Sequence, residues 1–241
     1  MGRTHQGASV TRTRSFPARL TGWIGKAIGG FLLASLGLTV IYKWVPVPVT
    51  LTMILDPNGF EKTWTPLSRI DRDMVAAVIA GEDAKFCTHK GFDAEAIEKA
   101  IERNARSSRL RGGSTISQQT AKNVFLWQGQ GWTRYARKGL EVWFTFLIEN
   151  IWGKRRIMEV YLNVAETGIG TYGVEAGSQR YFRHSAAQLS RVEAARIAAA
   201  LPAPKRREVA SPRGFTRRHG NTIASRSSVV RNEALDACVY R

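Results

Sequence analysis

The chain has 241 residues, of which 44% are hydrophobic and 23% are charged. This composition excludes wholesale disorder, and the length suits one substantial domain or two small ones. The two cysteines, Cys87 and Cys238, are too few for a small secreted scaffold held by several disulfides, or for a four-thiolate zinc site. The formal net charge of +17 indicates an anionic partner.

The basic residues are unevenly distributed along the chain. The first 55 residues contain six Lys or Arg and no acidic residue, and a second acid-free stretch with eight bases lies between Glu102 and Glu141. Bases this dense repel one another unless an anion neutralises them, although a solvated basic face is the common alternative. Because the second stretch surrounds a glycine-rich turn, we expect an anion-binding site there.

An uncharged segment, residues 27–42, lies between Lys26 and Lys43. Extended to Trp23 and Trp44 it has 22 residues, which as a helix of about 33 Å would cross a hydrocarbon core of about 30 Å. The flanking lysines and tryptophans suit the two membrane interfaces. A cleaved signal peptide is the alternative, but no small-x-small cleavage site follows the segment. A transmembrane anchor over residues 23–44 is therefore predicted.

Basic residues before the anchor set its expected orientation. The positive-inside rule places residues 1–22 in the cytoplasm as a basic leader, and it places everything after Lys43 outside the cytoplasm. Residues 45–65 are expected to form a linker, which starts with the alternating Val and Pro of an extended spacer. Within this linker, Thr50 to Leu55 is predicted to form a short strand.

A helical pattern follows the linker. Val75, Val78, Ile79, Glu82 and Phe86 are spaced so that they fall on one face of a helix. Glu82 therefore lies on an otherwise apolar stripe, where a carboxylate is costly unless it is paired or hydrogen-bonded. Two interpretations stay open, namely a buried ion pair and a general acid or base whose pKa burial raises.

The segment RGGSTISQQTAKN, residues 111–123, predicts a helix that begins after a glycine turn. Thr115 and Gln118 match a capping box at the helix start. Free amide groups there, with Arg111 before them and Lys122 two turns later, would suit a phosphate or a diphosphate. A purely structural turn is the equal alternative, and the segment lacks the GxxxxGK[ST] pattern of a P-loop.

The segment RKGLEVWFTFLIEN, residues 137–150, combines a charged cluster with an apolar helix. Glu141 lies one turn after Arg137 and Lys138, so an ion-pair cluster at the surface is the default interpretation. Residues 142–148 are apolar on nearly every face. This part of the helix is therefore expected to be buried or to enter lipid.

Two further features lie towards the C-terminus. Ser190 and Glu193 match a second capping box, and Pro202 is expected to end the helix that this box begins. Residues 205–241 are basic and weakly patterned. They predict a loop and one final helix.

Four motifs occur together in one order: EDAKFCTHKGFD (residues 82–93), RGGSTISQQTAKN, RKGLE (residues 137–141) and KRRIMEVYLNVAETGIGTYGVEA (residues 154–176). In this order and spacing they resemble the family 51 peptidoglycan glycosyltransferases of the monofunctional type, over residues 66–204. The resemblance implies a mostly helical, lysozyme-like domain with two lobes behind an N-terminal transmembrane helix. Residues 205–241 would form a basic extension that packs on this domain or trails it.

The resemblance also implies roles for individual residues. Glu82 would be the catalytic base, and Glu141 the second catalytic carboxylate. Lys122, Arg137 and Lys138 would bind a diphosphate. The full set implied to bind substrate is Asp83, Arg111, Ser114, Gln118, Gln119, Lys122, Asn123, Arg137, Lys138 and Asn163. No resident metal or cofactor is implied, and a role for a divalent cation stays open.

The implied reaction elongates glycan strands from lipid II outside the bacterial inner membrane, forms β-1,4 links with inversion and releases a polyprenyl diphosphate. Inversion requires one carboxylate to deprotonate the acceptor hydroxyl. The leaving diphosphate needs cations, which the acid-free stretch supplies. The expected partners are lipid II, the growing strand, membrane lipid and other cell-wall synthases, without nucleic acid.

Two other functions stay open from the residues alone. A membrane-anchored, lysozyme-like peptidoglycan hydrolase would share the fold and a catalytic glutamate, but it would not need a diphosphate site. A membrane-anchored nucleic-acid binder would fit the net charge. The exported orientation and the lack of a recognisable nucleic-acid motif argue against this second alternative.

Overall fold

The computed structural model describes residues 16–105, 113–129 and 131–240. The helices are α1 (Phe16–Trp44), α2 (Leu51–Ile54), α3 (Arg72–Glu82), α4 (Ala94–Ala105), α5 (Ile116–Phe125), α6 (Thr133–Ile151), α7 (Gly153–Val164), α8 (Val174–Phe182), α9 (Arg191–Ala200), α10 (Gly214–Asn232) and α11 (Ala237–Tyr240). The strands are β1 (Glu61–Lys62), β2 (Glu166–Gly168) and β3 (Thr171–Tyr172). The predicted fold class, mostly helical, is confirmed. The chain divides into two units after Leu38.

The helix α1 has the length and the composition of a membrane span. Its segment Thr21–Trp44 has 24 residues with a mean hydropathy of 1.8. Trp23 and Trp44, near the two ends, are 72% and 69% exposed. Lys26 and Lys43 lie over the rings of these two tryptophans. These features are consistent with the single-pass anchor predicted for residues 23–44.

The last residues of α1 belong to the second unit. They are bound there by Trp152, which precedes α7, and by Arg156 on α7. Trp152 Nε1 donates to the Thr39 carbonyl at 2.7 Å. Arg156 donates to the carbonyls of Tyr42 at 2.9 Å and Val45 at 2.7 Å. The final carbonyl groups of a helix have no partners within the helix, and these side chains supply them. The end of α1 is therefore fixed to α7.

Residues 51–54 form the helix α2, so the strand predicted for Thr50 to Leu55 is wrong. Thr50 caps this helix, because its Oγ1 accepts a hydrogen bond from the Met53 amide at 3.4 Å. Met53 is buried, whereas Leu51, Ile54 and Leu55 are exposed. One buried side chain in a run of apolar residues fits a helical turn and does not fit strand alternation.

The helices of the second unit pack in two groups. In one group α3 lies against α9 and α10, and every residue from Met74 to Ala80 is buried. In the other group α5, α6 and α7 pack together, and the rings of Phe125 and Phe144 stack at 4.4 Å. A small sheet in the order β1–β3–β2 pairs β3 in parallel with β1 and in antiparallel with β2.

The C-terminal extension is folded onto the second unit. α10 packs on α3 and α9, and α11 packs on α7, so two helices occur where one was predicted. Arg72 donates two hydrogen bonds of 2.7 Å to the buried carboxylate of Asp236. A disulfide joins Cys87 to Cys238. These contacts attach α11 and the residue before it to α3 and to the turn that follows it.

Gly91 lies in the loop between α3 and α4, and its position requires glycine. Its φ of +89° disfavours a side chain, and an added Cβ would lie 2.7 Å from Thr145 Cγ2. We expect Gly91→Ala to lower the free energy of unfolding by about 2 to 4 kcal/mol, measured by urea or thermal unfolding. Gly59→Ala is the matched control, since Gly59 has a φ of +69° and open space around it. The control should lose only about 1 to 2 kcal/mol, and equal losses would contradict the steric explanation.

The disulfide should stabilise the fold because it joins residues 151 positions apart in the sequence. We expect Cys238→Ser to lower the free energy of unfolding by about 2 to 5 kcal/mol. A reductant should bring the wild-type protein to the stability of this variant and should leave the variant unchanged. Unfolding of the wild-type protein that does not respond to reductant would contradict this role.

Candidate active site

Glu82 is the last residue of α3, and side chains from α5 and α7 connect to it. Gln119 Nε2 donates to Glu82 Oε2 at 2.9 Å, and the Tyr161 hydroxyl donates to Gln119 Oε1 at 3.2 Å. Among the described residues this neutral amide is the hydrogen-bond partner of Glu82, and no ion pair forms there. Burial raises the pKa of Glu82, and the bond from Gln119 offsets only part of that rise. The geometry therefore favours a proton acceptor over a buried ion pair.

Asp83 joins the end of α3 to the start of α5. Its Oδ2 accepts from the Ile116 amide at 3.0 Å, and its two oxygens lie 2.9 and 3.0 Å from His89 Nε2. His89 Nδ1 accepts a hydrogen bond from the Gly91 amide at 3.1 Å. Nε2 therefore carries the ring proton and donates a hydrogen bond to Asp83. The carboxylate is buried and engaged by these groups. Asp83 therefore ties the residue after Glu82 to His89 and to the start of α5.

The start of α5 has the capping box that the sequence predicts. Thr115 Oγ1 accepts from the Gln118 amide at 3.2 Å, and Gln118 Oε1 accepts from the Thr115 amide at 3.0 Å. The side chain of Gln118 is therefore used within the helix start, and Ser114 is exposed beside it. Arg111, the cation expected before this helix, lies outside the described residues.

Glu141 is buried on α6 and pairs with the two predicted cations. Arg137 Nη1 donates to its Oε2 at 2.9 Å, and Lys138 Nζ donates to its Oε1. The surface location expected for this cluster is wrong for Glu141, which is only 3% exposed, whereas the side chain of Lys138 is 46% exposed. Arg137 Nε is buried as well, and it has no hydrogen-bond partner within the described ranges.

Lys122 on α5 adds a third cation to this cluster. Burial lowers the pKa of Lys122, the charge of Glu141 opposes that shift, and the charges of Arg137 and Lys138 add to it. Both oxygens of Glu141 already accept from the other two cations. The cluster of Lys122, Arg137 and Lys138, called here the cation cluster, therefore sets three basic side chains against the one carboxylate of Glu141.

Asn163 on α7 is buried and shapes the site. Its Oδ1 accepts from the Thr65 amide at 2.7 Å. Its Nδ2 donates to the carbonyls of Thr65 and Glu159, each at 2.8 Å. Since both amide hydrogens are used, Asn163 holds the segment before α3 against α7.

A cleft of about 780 Å³ runs along α5. From α5 it is lined by Gln119, Lys122 and Asn123, which the sequence had identified. The other polar and aromatic residues that line it are Thr52, Asp56, Trp127, Gln128, Tyr161, Glu166, Tyr172, Lys205 and Arg206. Sequence reasoning missed these as site residues. The fourth motif contains Tyr161, Glu166 and Tyr172, whereas the remaining six residues lie outside the four motifs.

The helix α6 has one buried and one exposed apolar face. Phe144, Leu147 and Ile148 are buried, whereas Val142 and Phe146 are 46% and 55% exposed. Two aromatic residues at the start of the helix are also exposed, Trp132 and Tyr135. Residues 142–148 were predicted to be buried or to enter lipid. The structure buries one face of this segment and exposes the other, and the exposed face is available to a membrane.

The arrangement combines a carboxylate of raised pKa with the cation cluster nearby. Such a carboxylate can accept a proton, and such cations can stabilise developing negative charge. Within residues 16–105, 113–129 and 131–240, no three His, Cys, Asp or Glu side chains are grouped as a metal ion would require.

Comparison with known proteins agrees with the resemblance in the motifs. The family model for transglycosylases matches residues 50–230. A biosynthetic peptidoglycan transglycosylase of Caulobacter vibrioides is 48% identical over 203 residues, which cover 83% of this chain and 87% of that protein. The protein of the same name in Rhodospirillum centenum is 44% identical over 225 residues, which cover 92% of this chain and 96% of that protein. The chain therefore belongs to the transglycosylase family and is a peptidoglycan glycosyltransferase.

Proposed function

We propose that the enzyme polymerises lipid II into glycan strands, forms β-1,4 links with inversion and releases a polyprenyl diphosphate. The growing strand carries a lipid diphosphate on its reducing sugar, and a sugar hydroxyl of the incoming lipid II attacks that sugar. An α-linked diphosphate is replaced by a β link, so the hydroxyl attacks from the opposite face. A carboxylate then has to take the proton of the hydroxyl.

The observation that carries this proposal is that one helix, α5, connects a carboxylate of raised pKa to the cation cluster. Gln119 lines the cleft and hydrogen-bonds Glu82, and Lys122 lines the same cleft about one turn later. Glu82 would deprotonate the acceptor hydroxyl. The cation cluster would stabilise the charge that grows on the leaving diphosphate.

Glu141 would hold the cations and would not move a proton. Both of its oxygens accept from Arg137 or Lys138, so the carboxylate would fix both side chains. Arg137 Nε, which has no hydrogen-bond partner among the described residues, supports an anionic ligand at this place, since a buried donor without a partner costs free energy. A hydrolase of glycan strands would have no use for this charge.

We also propose that the enzyme is a single-pass protein of the bacterial inner membrane, with its N-terminus in the cytoplasm and its catalytic domain outside. The length of α1 and the bases before it support this orientation. The exposed Val142 and Phe146 on α6 would contact membrane lipid. Both α1 and the exposed face of α6 would hold the enzyme at the membrane, where a substrate with a lipid tail lies.

Removing the proposed base should abolish turnover and spare the fold. Glu82→Gln keeps the shape of the side chain, so polymerisation of purified lipid II should fall by about 10²- to 10⁴-fold while the thermal midpoint stays near that of the wild type. Glu98→Gln on the exposed face of α4 is the matched control. Near wild-type rates for Glu82→Gln would refute the role of the base. Cleavage of intact sacculi by the wild type, without polymer from lipid II, would favour the hydrolase.

Glu141→Gln should have a different signature from Glu82→Gln. The change frees Arg137 and Lys138 from their partner, so both turnover and the affinity for a prenyl diphosphate should fall. Glu82→Gln should leave that affinity near normal, because Glu82 does not belong to the cation cluster. Titration calorimetry with a short prenyl diphosphate separates the two variants, and equal affinities would contradict the division of roles.

Lys122→Met should weaken both binding and catalysis, since the diphosphate gains charge as it leaves. We expect kcat/KM for lipid II to fall by the equivalent of about 2 to 4 kcal/mol, with KM raised and kcat lowered. Lys90→Met, which removes an exposed lysine, is the matched control. Unchanged kinetics with altered stability would assign Lys122 a structural role instead.

The orientation of the anchor can be tested with a reporter fused after Arg241. Because bases precede α1 and the positive side stays in the cytoplasm, a reporter that works only outside the cytoplasm should be active. The same fusion without residues 1–44 should be inactive. Activity of a cytoplasmic reporter in the full-length fusion would contradict the proposed topology.

A further inference from the structure

A second cavity lies between α9 and α10, apart from the cleft along α5. It has a volume of about 380 Å³ and shares no lining residue with that cleft. Ten of the described residues line it; three of them are arginines, Arg196, Arg213 and Arg217, and none is acidic. Val192 and Pro212 add apolar surface to the wall. The proposed chemistry does not use this cavity, which is called here the arginine pocket.

The arginines of this pocket differ from a paired arginine on the same helix. Further along α10, Arg231 Nη1 donates to the carboxylate of Asp73 at 2.7 Å. In the part of the chain that the structure describes, no ion pair joins Arg196, Arg213 or Arg217 to a carboxylate. Arg196 Nη1 donates to a backbone carbonyl group of the pocket wall at 3.4 Å, whereas Arg213 and Arg217 are exposed. Cations grouped in this way repel one another, so the pocket favours a ligand with negative charge.

A short segment of the chain joins the cleft to the arginine pocket. Residues 201–206 line the cleft, and residues 210–213 line the pocket. Arg206 ends the first stretch and Arg213 ends the second, seven residues later. Because seven residues span at most about 25 Å, the two arginines lie within reach of one extended ligand. A chain with negative groups that leaves the cleft along this segment would therefore meet a cation at each end.

The lining of the pocket suits a carboxylate on a short stretch of ligand. A guanidinium group presents paired N–H donors, which match the two oxygens of a carboxylate or of a phosphate. Ligand sites run from about 300 to 1,000 Å³, so this pocket is at the small end of the range. It can admit a short peptide segment, whose small apolar groups Val192 and Pro212 would contact, and it is too small for a folded partner.

The position of the pocket favours a carboxylate over the phosphate of a lipid. α10 packs on α3 and α9, whereas α6, whose exposed face is proposed to contact lipid, packs on α5 and α7. The pocket and that face of α6 therefore belong to different groups of helices. The peptides of peptidoglycan are attached to its sugars and carry free carboxylates, and they leave the cleft together with the strand.

We propose that the arginine pocket binds the free carboxylates of the peptides on the glycan strand, once that part of the strand has left the cleft. The inference rests on the proposed function, because that function makes the peptide-bearing strand in the cleft. Arg213 and Arg217 would bind the carboxylates, and Arg196, which is held against the wall, would add positive charge behind them. The pocket binds the product and takes no part in bond formation.

The test measures Kd by fluorescence anisotropy with the full-length protein in detergent and three labelled peptides. The first is the acidic peptide of an uncrosslinked strand, released from its sugar so that the glycan does not direct it to the cleft. The second is the same peptide with amidated carboxylates, and the third is an oligoglutamate peptide of equal charge. The variants are Arg213→Gln and Arg217→Gln, alone and together. The matched controls, Arg218→Gln and Arg226→Gln, remove the same charges from exposed positions on α10 that do not line the pocket.

We expect Kd for the acidic peptide to rise about 3- to 10-fold in each single pocket variant and about 10- to 100-fold in the double variant. The control variants should stay within about twofold of the wild type, because salt screens charges that do not touch the ligand. The amidated peptide should bind the wild type at least about 10-fold more weakly than the acidic peptide. All thermal midpoints should stay near that of the wild type, because the replaced side chains are exposed.

Failure of the wild type to bind the acidic peptide would overturn the inference, as would equal binding of the amidated peptide. Equal losses in the pocket variants and the controls would indicate attraction by net charge alone and would overturn it too. Tighter binding of oligoglutamate than of the strand peptide would assign the pocket to an acidic segment of a protein, against the inference. If one pocket variant does not fold, the other decides the outcome. Polymerisation of lipid II by the wild type is measured separately, so failure of the proposed function is distinguished from failure of this inference.

Discussion

The site depends on the carboxylate of Asp83, which holds the end of α3 and the start of α5 at one point. It accepts from His89 in the loop after α3 and from the first amide of α5. Because Glu82 immediately precedes Asp83, this contact fixes where the last side chain of α3 is presented. Gln119, one turn into α5, then reaches Glu82. The loop that carries His89 has no room for a side chain at Gly91 and is joined to the C-terminal helix by the disulfide.

Glu82 and Glu141 have opposite surroundings, and their proposed roles follow from that difference. Glu82 is held by a neutral amide, so burial raises its pKa and makes it a better proton acceptor. Glu141 accepts hydrogen bonds from Arg137 and Lys138, so its proposed role is to order these two side chains. The same helix, α5, contributes Gln119 to the first glutamate and Lys122 to the cation cluster, so the groups proposed for proton transfer and for charge stabilisation are held by one element.

Features set by local sequence were predictable, and features set by long-range contacts were not. The capping box of Thr115 and Gln118 involves residues three apart, so its pattern predicts its structure. The strand predicted at Thr50 to Leu55 failed because a short apolar run does not distinguish a strand from a helical turn. The contact of Asp56 with Lys205 joins residues 149 positions apart, and no local pattern marks either residue. The part of the cleft that Glu166 lines could therefore be identified only from the structure.

The most direct measurement is the pH dependence of kcat/KM for polymerisation of lipid II, which reports the ionisation of groups in the free enzyme. Glu82 has to be deprotonated to accept a proton, and burial raises its pKa. Activity should therefore fall as the pH is lowered, with a midpoint above that of an ordinary glutamate, and Glu82→Gln should lose this dependence together with most of its activity. A wild-type profile that stays flat down to the ordinary range of a glutamate would contradict the role of Glu82 as the base.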